Sequence, residues 1–86
     1  MNIEYSKKAI KYINALDRTA KQRIKKAIEG LTASPPQGDI KPLQGYPDGR
    51  MRLRVGKYRV VYAYLDRGMV EILFIHDVGA RGDIYK

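Results

Sequence analysis

The spacing of apolar residues changes once along the chain, and this change most constrains the fold. Up to residue 33, apolar residues recur every three or four positions, as in amphipathic helices. From residue 50 onward the period changes to 2, as in strands: residues 50–55 alternate, residues 58–65 are rich in Val and Tyr, and residues 69–78 form a further apolar stretch. Residues 34–49 separate the two patterns and contain all four prolines, so we interpret this segment as a connecting loop. With 86 residues in total, the chain is expected to form one domain over residues 1–86.

Two helices are predicted in the first part, after a short strand at residues 2–5. Ser6 stands at the N-cap position of the first, which covers residues 7–16. Asp17 or Thr19 can cap the second, predicted from Ala20 to about Ala33. Because so short a link joins them, the helices should form an antiparallel hairpin.

Three strands are predicted in the second part, at residues 50–55, 58–65 and 69–78. Gly56 and Lys57 suit a two-residue turn with glycine first, and residues 66–68 are expected to form the next turn. The order β-α-α-β-β-β predicts an α+β domain with an antiparallel sheet and a helical hairpin packed on one face.

Strand alternation sorts the side chains of the first hairpin. If Gly56 and Lys57 form the turn, Arg54 lies directly opposite Arg59, and opposed residues share a face. One face, called the arginine face below, then carries Arg50, Arg52, Arg54 and Arg59, joined from the third strand by Val70, Ile72, Phe74 and His76. We expect this face to be open, with His76 opposite Arg59. The helices should cover the other face, which carries Leu53, Val60, Leu73, Ile75 and, as core residues, Tyr58, Tyr62 and Tyr64.

Like charges opposed across two strands repel, so the pair of Arg54 and Arg59 needs a counter-charge. An acidic partner or a phosphate chain would supply it. The formal net charge of +8 also favours a polyanionic partner. No cysteine is present, so disulfides and thiolate metal sites are excluded and a reducing cytoplasm fits. One histidine and scattered acids make a metal site improbable on residue type alone, and we expect no cofactor. No secretory signal and no apolar run long enough to cross a bilayer is visible.

The segments PLQGYPDGRMRLRVGKYRVVYAY and VGARGDIYK resemble the RelE/ParE superfamily of bacterial toxins, and the resemblance covers nearly the whole chain. It implies the RelE-like fold. The pair of Arg81 and Tyr85 points to the RelE branch, whose members are ribosome-dependent messenger-RNA endonucleases. The ParE branch, which poisons DNA gyrase, usually lacks that tyrosine. The family is metal-free and is neutralised by a cognate antitoxin that wraps the cationic face.

The resemblance also implies roles for individual residues. Arg59 matches the phosphate-gripping arginine, Arg81 the second catalytic arginine, and Tyr85 the aromatic that stacks on or activates the substrate. Arg50 and Arg52 match catalytic or substrate-binding positions, and Arg54 and Lys57 are expected to bind RNA. Many relatives have His or Lys immediately before the second arginine, whereas this chain has Ala80, so a usual general acid or base is missing.

Cleavage of RNA by its own 2′-hydroxyl needs a base, an acid and stabilisation of the phosphorane. Arg59 and Arg81 suit the stabilisation, and Tyr85 suits the acid–base work. His76 is a candidate substitute for the group absent at Ala80, and Arg52 would donate a proton only in an extreme environment. Tyr85 and Tyr46 are the candidates for base stacking.

Three functions therefore remain open. The first is a type II toxin that cleaves messenger RNA in the ribosomal A site, with the ribosome and its 16S rRNA as partners. The second is a ParE-like gyrase inhibitor. The third is a catalytically weakened homologue that binds RNA or antitoxin. In each case the antitoxin is expected to cover the arginine face with an acidic, partly extended segment that folds on binding.

Overall fold

The structure is a computed structural model, and it describes residues 1–80. It contains two helices and five strands in this part of the chain. Arg81 and Tyr85 lie outside the described residues. In chain order the elements are β1 (Asn2–Tyr5), α1 (Lys7–Asn14), α2 (Arg18–Gly30), β2 (Asp39–Pro42), β3 (Met51–Val55), β4 (Tyr58–Arg67) and β5 (Val70–Ala80).

The helices begin at caps that the sequence predicted. The Ser6 side chain accepts a hydrogen bond from the Ala9 amide at 3.0 Å, and that of Asp17 accepts one from the Ala20 amide at 2.8 Å. Each bond satisfies one of the amides that a first helical turn leaves without a partner. Asp17 rather than Thr19 is thus the cap of α2, so the helix begins at Arg18, two residues before the predicted start. It ends at Gly30, whose carbonyl accepts a hydrogen bond from the Gln37 amide at 3.0 Å.

The helices cover the predicted face of the sheet and form the core with it. In the described chain, α1 packs against β5 and α2 against β3. Leu53, Val60, Leu73 and Ile75 are buried beneath them, as alternation predicted. Tyr58 and Tyr62 belong to the same cluster. Tyr64 is only partly covered, and its hydroxyl donates a 2.8 Å hydrogen bond to the carbonyl of Leu31, which caps the C-terminus of α2.

The sheet is mixed, whereas the sequence predicted a wholly antiparallel one. Its strand order is β1-β5-β4-β3-β2, and β1 runs parallel to β5 while the other pairs are antiparallel. A parallel pair needs a long crossover connection, and here α1, α2 and the following strands provide it. Nothing in the four residues of β1 reveals that direction.

The segment predicted as a loop contains an edge strand. Residues 39–42 form β2 and pair with β3, with Asp39 opposite Arg54 and Lys41 opposite Arg52. Proline cannot donate to a strand ladder and is therefore confined to edges and bulges, which is where Pro42 lies. The sequence did not predict β2 because the prolines and glycines around it are typical of loops.

Both hairpin turns have glycine first, but the second lies one to two residues later than expected. Val55 pairs with Tyr58 around Gly56 and Lys57, as predicted. Arg67 pairs with Val70, so Gly68 and Met69 form the other turn rather than residues 66–68. Further along, a register shift between Val61 and Tyr62 marks a β-bulge in the pairing with β5.

We expect Asp17→Ala to lower the free energy of unfolding by about 1 kcal/mol, because the Ala20 amide then loses its acceptor. Thr19→Ala is the matched control and should be neutral or slightly stabilising, since alanine is the better helix former. Urea titrations followed by circular dichroism measure both. Equal destabilisation by the two substitutions would show that Asp17 is not the cap.

Candidate functional site

A row of opposed residues crosses four strands on the arginine face. Arg54 of β3 lies directly opposite Arg59 of β4, as predicted. On the outer side of Arg54 lies Asp39 of β2, and on the far side of Arg59 lies Gly79 of β5. Because Gly79 has no side chain, the position of β5 directly opposite Arg59 contributes only backbone. The row therefore combines two adjacent cations with one carboxylate at the sheet edge.

Asp39 bridges two of the predicted arginines. Its Oδ2 lies 3.7 Å from Arg54 Nε, and its Oδ1 lies 3.6 Å from Arg52 Nη2. The counter-charge that the sequence assigned to a partner is thus supplied, in part, by the chain itself. Sequence reasoning missed Asp39 because it read the segment as a loop. Had β2 been recognised, its inward-facing Ile40 would have placed Asp39 and Lys41 on the arginine face.

Arg52 is buried, which contradicts the expectation of an open face. It retains 5% of its surface, and Val61 opposite it, together with neighbouring Ala63 and Ile72, is buried too. The centre of the face is therefore covered, and its cations are exposed only toward the rim. Among the described residues, Arg52 Nη1 is buried without a hydrogen-bond partner. An unsatisfied buried donor costs about 1–3 kcal/mol, so an acceptor reaching Nη1 would be bound favourably.

Arg50 forms a second cluster with the loop before β3. Its Nε donates a 2.9 Å hydrogen bond to Asp48 Oδ2, and its guanidinium lies 4.6 Å from the centre of the Tyr46 ring. This hydrogen bond is the main reason that the pKa of Asp48 is lowered. Tyr46, one of the two residues predicted to stack on a base, remains 43% exposed. Its ring lies beside the guanidinium of Arg50 at the rim of the arginine face.

His76 lies beside this second cluster and not opposite Arg59. Gly79 opposes Arg59, because the bulge and the later turn both shift β5 relative to β4. The imidazole packs edge-on against Phe74 with ring centres 4.7 Å apart, which keeps it on the predicted face. Burial, followed by the charge of Arg50, lowers the pKa of His76, and Asp48 opposes this shift. His76 is consequently neutral at pH 7, and its Nε2 is buried with no hydrogen-bond partner in the described chain.

Two lysines depart from the prediction in opposite ways. Lys57 was expected to bind RNA with the arginines, but its ammonium lies 5.4 Å from the centre of the Tyr58 ring, on the helix-covered side. It lines a shallow cavity there with Arg23 and the start of α2. Lys41 was not predicted, yet it lies opposite Arg52 and is exposed at the sheet edge. Lys57, which is expected to bind RNA, therefore lies away from the arginine face, whereas Lys41 lies on it.

The buried tyrosines take no part in this face. Tyr58 and Tyr62 lie in the core, and burial strongly raises the pKa of Tyr62. Tyr64 packs edge-on against Tyr62 at 5.6 Å. Within residues 1–80, no group of three or more histidine and acidic side chains is close enough to hold a metal ion. Neither helix in that range is long and apolar enough to span a bilayer.

The chain resembles several solved toxin structures. The isolated RelE toxin of E. coli is 29% identical with a TM-score of 0.68, and the match covers 98% of this chain and 89% of the other. The toxin in a RelB–RelE antitoxin–toxin complex from Methanococcus jannaschii is 26% identical with a TM-score of 0.69, over 95% and 94% of the two chains. A YoeB/ParE toxin from Agrobacterium tumefaciens has a TM-score of 0.79 at 18% identity, over 94% and 99%, which shows the shared fold alone.

Comparison with curated protein sequences gives no significant match. The model of one protein family does match, and its description is ParE toxin of type II toxin–antitoxin system, parDE. It covers residues 3–85, which is nearly the whole sequence. The chain therefore belongs to the ParE toxin family of type II toxin–antitoxin systems, within the RelE/ParE superfamily.

Proposed function

We propose that this toxin is a metal-independent endoribonuclease that cleaves messenger RNA in the ribosomal A site, in the cytoplasm, by attack of the RNA 2′-hydroxyl. The observation that carries the proposal is the direct opposition of Arg54 and Arg59 beside buried Arg52. Three guanidinium groups on neighbouring positions of two strands suit a phosphate chain, because each can hold phosphate oxygens through two parallel hydrogen bonds.

The arginines would hold the message and stabilise the charge of the transition state. Arg59 is assigned the phosphate at the cleaved bond, as the family resemblance implies, and Arg54 and Arg50 the neighbouring phosphates. Arg52 can offer the buried Nη1 to a phosphate oxygen. Donors held in place before the reaction act most strongly where water is excluded, and the burial of Arg52 meets that condition.

Proton transfer is assigned to His76 and to Tyr85. A general base must be unprotonated near neutral pH, and burial together with Arg50 keeps His76 so. His76 lies at the bulge between the positions opposite Val61 and Tyr62, two to three residues along the sheet from Arg59 and on the neighbouring strand, which corresponds to about 10 Å at the usual strand rise and spacing. This separation is compatible with contacts from both side chains to neighbouring groups of the same RNA segment. Arg81 and Tyr85, outside the described residues, remain assigned to charge stabilisation and to protonation of the leaving 5′-oxygen.

A second candidate function is inhibition of DNA gyrase. It is favoured by the family model that matches, which describes a ParE toxin, and by Ala80 in place of the usual acid–base residue. Ala80 equally supports the third function, a homologue that binds RNA or antitoxin but cleaves weakly, because the usual acid–base residue is missing. A direct assay separates these functions: purified toxin is added to programmed ribosomes and, separately, to gyrase with plasmid DNA. Intact message together with trapped gyrase–DNA complexes would overturn the RNase proposal.

We expect Arg59→Ala to reduce cleavage of ribosome-bound message by about a hundredfold or more, the usual loss when one stabilising donor of a transition state is removed. Arg59→Lys should recover little, since an ammonium lacks the paired donors. Arg67→Ala is the matched control: it removes the same charge from the far end of β4, where Arg67 pairs with Glu4 at 3.6 Å. Primer extension on the message measures all three. Equal activity of the Arg59→Ala and Arg67→Ala variants would exclude Arg59 from the site.

The pH dependence of cleavage tests His76. If His76 is the base, kcat/KM should fall as the pH drops through its pKa, and that pKa lies below the ordinary value of 6.5. The rate should therefore be level at neutral pH and decline only in more acidic solution. His76→Gln should lower the rate and abolish the acidic decline. An unchanged rate and profile in that variant would remove His76 from the mechanism.

We further propose that a cognate antitoxin neutralises the toxin by laying an acidic segment over the arginine face. Three of the similar solved structures are complexes of a RelE toxin with a RelB antitoxin, and the net charge of +8 favours an acidic partner. In the complex, hydrogen exchange should slow in β3 and in the first half of β4 more than at the turn of Gly68 and Met69. A complex in which the exchange of β3 and β4 is unchanged would contradict this assignment.

A further inference from the structure

We propose that Asp39 is a built-in counter-ion of the arginine face that an incoming polyanion displaces. Its carboxylate occupies the place between Arg52 and Arg54 where a phosphate would bridge the same two groups. Asp39 would thereby set how much negative charge a ligand must bring in order to bind. The inference rests on the proposed function in one respect, namely that the arginine face binds a phosphate chain.

The contacts of Asp39 are long enough that an anionic ligand could replace them, and they do not hold the two arginine side chains in place. Its two oxygens lie 3.6 Å and 3.7 Å from the nearest nitrogens of Arg52 and Arg54, beyond the usual 2.7–3.2 Å of a hydrogen bond. At these distances the carboxylate attracts both guanidinium groups without orienting them. Arg52 is held instead by its burial, since its side chain is only 6% exposed. Loss of Asp39 should therefore leave Arg52 in place.

The position of Asp39 makes displacement easy. The side chains of Asp39 and Arg54 are 51% and 49% exposed, so water, and hence an anion, reaches both. β2 is an edge strand of the described sheet, and no further strand there covers the carboxylate. The exposed ion pair of Asp39 with Arg54 is therefore weak. A phosphate can offer each guanidinium two oxygens at hydrogen-bond distance and so replaces the carboxylate with stronger contacts.

Asp39 also opposes any anion that does not displace it. The carboxylate of Asp39 lies at the end of the row that contains Arg54 and Arg59. A phosphate that approaches either arginine is therefore repelled by a nearby negative charge. A ligand with one or two negative charges gains little against this repulsion. A chain of phosphates gains contacts along the whole face, because each neutralised phosphate adds to the binding. Asp39 thus favours long polyanions over small ones.

The test compares Asp39→Asn with Asp66→Asn. Both substitutions raise the net charge by one, but Asp66 lies at the far end of β4, opposite Glu71. The probe is a fluorescent single-stranded ten-nucleotide DNA, which has no 2′-hydroxyl and cannot be cleaved, so binding is measured apart from catalysis. We expect Asp39→Asn to tighten binding about three- to tenfold, and Asp66→Asn less than about twofold. Asp39→Ser, which also removes the charge, should behave as Asp39→Asn does.

The location of the effect is tested by repeating Asp39→Asn in an Arg54→Gln background. In that background, the factor by which Asp39→Asn tightens probe binding should be less than half of that in the wild-type background. The reason is that Arg54, one of the two cations that Asp39 screens, has been removed. Equal affinities of the Asp39→Asn and Asp66→Asn variants, weaker binding by Asp39→Asn, or no probe binding by any form would each overturn the inference. If Asp39→Asn tightens probe binding as expected but the wild-type toxin leaves ribosome-bound message intact, the role of Asp39 as counter-ion is supported and the proposed RNase activity is rejected.

Discussion

The two-residue turn at Gly56 and Lys57 is the constraint on which the rest of the site depends. Gly56 has a φ of +58°, a left-handed conformation that glycine adopts without strain, and a Cβ built there would lie 2.9 Å from Arg23 Nη2. The turn fixes Arg54 opposite Arg59 and Leu53 opposite Val60. A slip of one residue would turn the arginines toward the helices and the core residues toward water, so this register places both the site and the core.

The parts of the fold that short-range patterns determine were predictable. The two helices, their first caps, the β3–β4 register and the covered face follow from periods of 3.6 and 2 and from a glycine turn. β2 and the direction of β1 were not predictable, because each has only four residues and exists through pairing with a distant strand. The same holds for the site. Arg52, Arg54 and Arg59 followed from alternation, whereas Asp39 and Lys41 joined them only through the pairing of β2 with β3.

The burial of Arg52 changes what the arginine face can do. An exposed cluster of cations attracts any anion and discriminates little. Here one guanidinium lies inside with an unsatisfied donor, two lie nearer the rim, and a carboxylate occupies part of the space between them. A carboxylate within a cluster of cations lowers its attraction for small anions, which is the basis for the proposal that this face selects a phosphate chain.

The β-bulge in β5 brings an apolar residue of this strand into the core in place of a carboxylate, and it determines the position of His76. Regular alternation from Leu73 and Ile75 would put Asp77 on the helix-covered face, where an isolated carboxylate is costly. With one extra residue between the pairs of Tyr62 with Ile75 and Val61 with Asp77, Val78 enters the core instead and is buried opposite Val60. Asp77 then pairs with Lys8 at 3.2 Å. His76 is that extra residue, and the charges of Arg50 and Asp48 act on its pKa. Bulges re-aim side chains at functional sites, and here the extra residue that keeps the carboxylate of Asp77 out of the core is itself the proposed base, His76.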